Sequence, residues 1–181
     1  MKNNIPRNIG FTLIELLVVI SIISLLSSIV FTTVNSARVK TRDARRLADV
    51  RQLVTVLQFY YDDNGSFPST AGCRDGYCCL GHGDAGTCWF RGQFNGSTAL
   101  DNALSPRYIS KIPDDPLNRI GYFGDSYMYN SSITTSAGTG PILHWSIEKA
   151  SATSQDCAGG DIGNWGGNAI GENYYCMLPI R

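Results

Sequence analysis

Residues 16–37 run for 22 positions without a charge. At about 1.5 Å per residue, a helix of that length crosses a hydrocarbon core of roughly 30 Å. A single carboxylate, Glu15, stands at its N-terminal end, five positions after Gly10. A charge within a membrane helix is costly, so it marks function and calls for a partner. Residues 1–10 carry Lys2 and Arg7 and end in glycine.

An ordinary secretory signal does not describe this segment. Its apolar region would be about 7–15 residues long, with a small-residue cleavage site behind it. Here the run is longer, opens near Glu15 and lacks an A-x-A site behind it. The glycine precedes the apolar run, so cleavage there leaves the helix in the mature chain. Charge bias points the other way. Arg38, Lys40, Arg42, Arg45 and Arg46 follow the helix, against Lys2 and Arg7 before it, and the positive-inside rule alone places the C-terminal part in the cytoplasm. The cysteines described below, with the leader, outweigh that tendency. The five basic residues read as a solvated helix face flanking the membrane.

Helical spacing continues beyond the membrane run. Ala44, Leu47, Ala48, Val50, Leu53, Val54, Leu57, Tyr60 and Tyr61 form an apolar stripe, and Arg45 and Asp49 are spaced for an i,i+4 pair. No proline lies between Pro6 and Pro68. One helix is expected from about Thr12 to Asp63, lipid-embedded at first and amphipathic later, with Gly65 suited to a left-handed cap. Ser21, Ser24, Ser27 and Ser28 are small polar residues that suit close helix packing.

The remainder is richer in turns. Of 19 glycines, only Gly10 precedes Gly65. All six cysteines, Cys73, Cys78, Cys79, Cys88, Cys157 and Cys176, lie beyond the apolar run, which implies disulfides in an oxidising compartment. There is no C-x-x-C spacing to favour zinc. The first four fall in a loop, residues 69–96. Cys78 and Cys79 are adjacent, and a bond between them would be strained. The four are therefore expected to pair among themselves, with three connectivities open, and Cys157 to pair with Cys176. Residues 81–86 spell G-x-G-x-x-G but lack the flanking strand and helix of a nucleotide site.

Further on, Leu100-Asp101-Asn102-Ala103-Leu104 reads as a short helix or turn, and Ile112-Pro113-Asp114-Asp115-Pro116 as a rigid turn. Strands are expected at Tyr122 and Phe123, at Tyr127-Met128-Tyr129-Asn130, at residues 141–148 and at residues 173–178, with residues 131–140 as a hairpin-like connection. His144 reads as a strand surface residue rather than a ligand. With His82 it is one of two histidines. The chain contains no H-E-x-x-H, G-x-S-x-G or P-loop, and its 15 basic and 15 acidic residues give no field for nucleic acid.

Three segments together resemble one family, the type IV pilin-like proteins and the major pseudopilins of type II secretion. They are Gly10-Phe11-Thr12-Leu13-Ile14-Glu15 with its apolar helix, Tyr61-Asp62-Asp63-Asn64-Gly65-Ser66-Phe67-Pro68, and Tyr108-Ile109-Ser110-Lys111-Ile112-Pro113-Asp114-Asp115-Pro116. Gly160-Asp161-Ile162-Gly163-Asn164-Trp165 is similar, more loosely, to that family's calcium-binding loop. The cysteine-rich insert and the tail beyond Trp165 depart from the pattern.

The resemblance implies an α+β fold, a long N-terminal helix packed on a small antiparallel sheet. It divides the chain into a leader (1–10), a membrane helix (11–37), its amphipathic continuation (38–64) and an extracytoplasmic domain (65–181). It implies cleavage after Gly10 by a prepilin peptidase and N-methylation of Phe11. The chain is then a structural filament subunit, not an enzyme, working with an inner-membrane assembly platform and minor pilins. Glu15 would meet the Phe11 amine of a neighbouring copy. No cofactor is required. Calcium at Asp161, helped by Asp156, is the one metal expected. The alternatives are a minor tip pilin or adhesin binding through its disulfide-rich loop, and an enzyme or binding protein on an uncleaved anchor.

Overall fold

The computed structural model describes residues 11–84, 87–88, 93–117, 126–135, 138–148, 153–164 and 174–180. It divides into two compact units, residues 1–38 and residues 39–181. The leader, Tyr122 and Phe123, Trp165 and Asn173 lie outside the described residues.

Helix α1 (Leu13–Asn64) runs through both units. It starts at a reciprocal cap. Thr12 N and Oγ1 both donate to Glu15 Oε2, at 2.9 and 2.7 Å, and Glu15 N donates to Thr12 Oγ1 at 3.3 Å. This T-x-x-E arrangement satisfies amides that have no partner inside the helix. At the other end Gly65 takes φ 69° and donates its N–H to Tyr61 O at 2.7 Å. That left-handed turn costs glycine little and stops the helix.

In the second unit the stripe Val50, Leu53, Leu57 is fully buried and Val56 nearly so. It packs into one core with Tyr127, Tyr129, Leu143, Trp145, Ile147, Cys176 and Ile180. Each large apolar side chain buried this way contributes about 1.5–3 kcal/mol before entropy is counted. Those partners lie on or directly beside an antiparallel sheet of β1 (Tyr77–Cys79), β4 (Met128–Thr135), β5 (Gly138–Ile147), β7 (Tyr174–Pro179) and β6 (Asp161–Asn164), adjacent in that order. A two-stranded pair, β2 (Thr87–Cys88) and β3 (Phe94–Asn95), stands apart from it. Helix α2 (Thr98–Leu104) is capped by Ser97 Oγ, which accepts from Leu100 N at 3.3 Å, and buries Leu100 and Leu104.

Several expectations need revision. Residues 131–140 are not mainly a connection. Strands β4 and β5 continue through most of them, with register pairs out to Thr135 and Gly138. The cysteine-rich segment is not wholly loop, since Tyr77–Cys79 forms an edge strand of the main sheet. Asp161 lies on a strand that sequence periodicity did not reveal. Of the G-x-G-x-x-G, residues 81–84 are described, and the amides of Gly81 and Gly83 both donate to Asp101, at 2.9 and 2.8 Å. The nest of N–H groups is filled by the chain's own carboxylate.

Candidate functional site: an uncovered apolar helix and a buried ion network

The first unit carries the apolar half of α1 with almost no cover. Phe11 is 79% exposed and Leu13 86%, and large aliphatic residues out to Val34 are likewise exposed. Exposed apolar surface on this scale marks a membrane or protein contact. The polar atoms on it are handled locally. Ser21 Oγ donates to Val18 O at 2.8 Å, Ser24 Oγ to Ile20 O at 2.7 Å and Ser28 Oγ to Leu25 O at 2.8 Å. Thr33 Oγ1 donates to Val30 O at 2.9 Å. Glu15 stands at the head of this surface, its Oε2 held by Thr12. Phe11 opens the described chain, while Gly10 lies outside it.

The basic cluster after the membrane run is only partly a solvated face: Arg38, Lys40 and Arg45 are exposed, while Arg42 is half-buried and Arg46 is buried. Arg46 is 1% exposed. Its Nε donates to Asp115 Oδ2 at 2.6 Å and its Nη2 to Asp115 Oδ1 at 2.9 Å. Its Nη1 donates to Asp43 Oδ1 at 2.8 Å and to Glu148 Oε1 at 2.6 Å. Arg42 grips the same Glu148 with two donors, Nε to Oε1 at 2.8 Å and Nη2 to Oε2. Planar guanidinium forks suit such two-point binding. Burial pulls the Glu148 carboxyl up, but the hydrogen bonds from Arg42 and Arg46 hold it below the usual carboxylate range. Burial dominates at Asp43 and raises it. Arg45 pairs with Asp49 at 3.7 Å, and Asp49 Oδ2 also accepts from Tyr127 OH at 2.8 Å.

This network ties the amphipathic half of α1 to the proline-flanked turn and to the end of β5. Sequence reasoning missed it. The signal was there: Arg46 falls four positions before Val50, on the buried stripe, and a charge on such a stripe demands a carboxylate.

The cysteines are bonded as Cys73 with Cys78, Cys79 with Cys88, and Cys157 with Cys176. Adjacent Cys78 and Cys79 point to opposite faces of β1, as successive strand residues must, so each bridge fastens a different side of the edge strand. Asp161 pairs with Met177 in the β6–β7 register. Asp156 Oδ2 accepts from Thr153 N and Oγ1, at 2.8 and 2.9 Å. A calcium ion wants six to eight oxygens. Among the described residues no three His, Cys, Asp or Glu side chains gather to hold a metal, so a calcium ion at Asp161 would rely on backbone carbonyls for most of its oxygens.

Residues 5–31 match the family described as the prokaryotic N-terminal methylation motif. The chain is 27% identical to type II secretion system core protein G of Aeromonas hydrophila over 152 residues, covering 78% of this chain and 95% of that protein. It is 27% identical to the core protein G of Pseudomonas aeruginosa over 156 residues, 86% of this chain and 94% of the relative. It is also 27% identical to a type IV wide pilus major component of Thermus thermophilus over 120 residues, 52% of this chain and 92% of that one. No solved structure matches. The chain is thus similar to pseudopilins and pilins in its N-terminal motif and along most of its length.

Proposed function

We propose that the chain is a structural subunit of a type IV pilus-like or type II secretion pseudopilus filament. The observation that carries this reading is the uncovered apolar half of α1 with Glu15 at its head, lying within the methylation motif. In this proposal a prepilin peptidase cleaves after Gly10 and Phe11 is methylated. The apolar helix holds the subunit in the inner membrane, with the C-terminal domain outside the cytoplasm. An assembly platform then transfers subunits into a homo-oligomeric filament whose centre is the bundled helices.

Glu15 provides the register. Two charges taken out of water are costly singly, and a carboxylate placed opposite a neighbour's terminal amine offsets much of that cost. The chain acts as a building element, not an enzyme. Its relatives are core or major components, which favours a main subunit over a tip adhesin. In the same proposal calcium binds at Asp161 through its carboxylate and nearby backbone carbonyls, helped by Asp156.

The test is to shear cells of the native host and probe the filaments with antibody against residues 65–181. Labelling along filament length supports a main subunit. Labelling at one end only supports the tip reading, and no filament-associated chain overturns both.

A further inference from the structure

Sheet register places five residues in one row across the face turned away from α1. The row is Cys79 on β1, Met128 on β4, His144 on β5, Met177 on β7 and Asp161 on β6. Two of the three methionines in the chain therefore flank a single histidine, one on each adjacent strand. Directly opposed residues in antiparallel strands have Cβ atoms about 5 Å apart. Both thioethers thus hang within side-chain reach of the imidazole.

This face is covered. Cys79, Cys88 and Met128 form a second small core with Tyr77, Phe94 and Tyr175 packed against it. His144 is 6% exposed, contrary to the surface position expected from sequence. Its ring meets Tyr77 edge-on at 5.1 Å and stacks near Tyr175 at 6.3 Å. Among the described residues, its Nε2 is buried without a hydrogen-bond partner. Leaving such an atom unsatisfied costs about 1–3 kcal/mol, so a buried orphan asks for an explanation.

The geometry points to a Cu(I) site formed by Nε2 of His144 and the thioether sulfurs of Met128 and Met177, a site that goes beyond the filament role. Thioethers bind hard cations poorly and select soft Cu(I), while imidazole suits copper generally. Burial favours a singly charged ion over a divalent one, because the cost of desolvation grows steeply with charge. Burial also pushes His144 down to about 4, which keeps the imidazole neutral and able to ligate at neutral pH. The cysteines do not compete, since all six are in disulfides.

The experiment uses full-length protein in detergent micelles, titrated anaerobically with Cu(I) against bathocuproine disulfonate. One equivalent retained per chain is expected, with sulfur and nitrogen scatterers in its X-ray absorption spectrum. Met128→Leu with Met177→Leu conserves volume, and so keeps the face packed. This pair should weaken Cu(I) binding by more than about tenfold, a loss that even outer-sphere changes at metal sites produce. His144→Phe should abolish binding. Melting curves check that each variant is folded, and a thiol assay checks that the disulfides persist. If His144→Phe does not fold, the leucine pair decides. No Cu(I) retained against the chelator, or undiminished binding by the leucine pair, overturns the site.

Discussion

Arg46 and Asp115, 69 positions apart in sequence, meet through two hydrogen bonds of 2.6 and 2.9 Å, with side chains only 1% exposed on both sides. The pair joins α1 to the proline-flanked turn. Removing one member of such a pair strands the other and costs about 3–5 kcal/mol, whereas replacing both by apolar groups can be neutral. Arg46→Met should therefore lower the melting temperature of the detergent-extracted protein by roughly 10 °C, at about 2–4 °C per kcal/mol for a chain of this size. Arg46→Met with Asp115→Leu should recover part of that loss. An unchanged melting point in the single variant would show that the network is energetically idle.

Acid should loosen the domain through His144. Its folded value lies near 4, below the ordinary 6.5, because burial disfavours the imidazolium. The unfolded chain therefore binds the proton first. Stability is highest above about pH 6.5, falls as pH drops toward 4 and levels off below that for this group. The slope is about 1.4 kcal/mol per pH unit, or roughly 3 kcal/mol over the window. Among the described residues, the rings of Tyr77 and Tyr175 lie against His144. Denaturant melts of His144→Phe should lose this slope. An identical slope in the variant would assign the acid limb to other groups.

The mature chain should begin at Phe11. Intact mass of the membrane-extracted protein should show loss of residues 1–10 and gain of one methyl group. An N-terminus still at Met1, or one beyond Ala37, contradicts the processing scheme.

Glu15→Gln separates capping from assembly. Glutamine keeps an acceptor for Thr12 N and Oγ1, so the helix start survives. Membrane insertion should be unchanged, because removing a charge does not hinder it. Filament yield after shearing should collapse, since a loss of even about 3 kcal/mol recurs at every subunit contact. Thr12→Val removes the hydroxyl of the cap but keeps the carboxylate, and should leave filaments largely intact. Normal filaments in Glu15→Gln would defeat the pairing mechanism.

Cys157→Ser with Cys176→Ser should destabilise the domain by about 3 kcal/mol, the chain-entropy value for a loop of this size. Trp145, opposite Cys176 in the β5–β7 register, offers a fluorescence readout. A variant that melts like the parent would mean that the sheet alone holds β7 in place.

What the sequence disclosed, and what it hid, follows from the range of the interactions. Helix α1 was legible because apolar spacing, the lack of proline between Pro6 and Pro68 and the Gly65 stop are all local. Arg46 was read as solvated because Asp115 and Glu148 reach it from 69 and 102 positions away. Strand alternation at residues 141–148 exposed two faces but not the cover over the second one. That cover comes from the cysteine-rich insert, whose own fold has little periodicity, so His144 was placed in solvent. Strand β6 is four residues long and contains a glycine, too brief for its pattern to stand out.

The hydroxyls that turn back onto the backbone of α1 have one more effect. Ser21, Ser24, Ser28 and Thr33 ask nothing of whatever surrounds the helix. Acyl chains and the flank of a sister helix are thus interchangeable neighbours for the aliphatic surface. Moving a subunit from bilayer to fibre breaks none of these bonds, and moving it back breaks none either. Under the proposed function, the direction of travel is set by close packing and by the single carboxylate at the helix head. A polymer built on such a stem can grow from a lipid reservoir and dissolve into it again without its subunits unfolding.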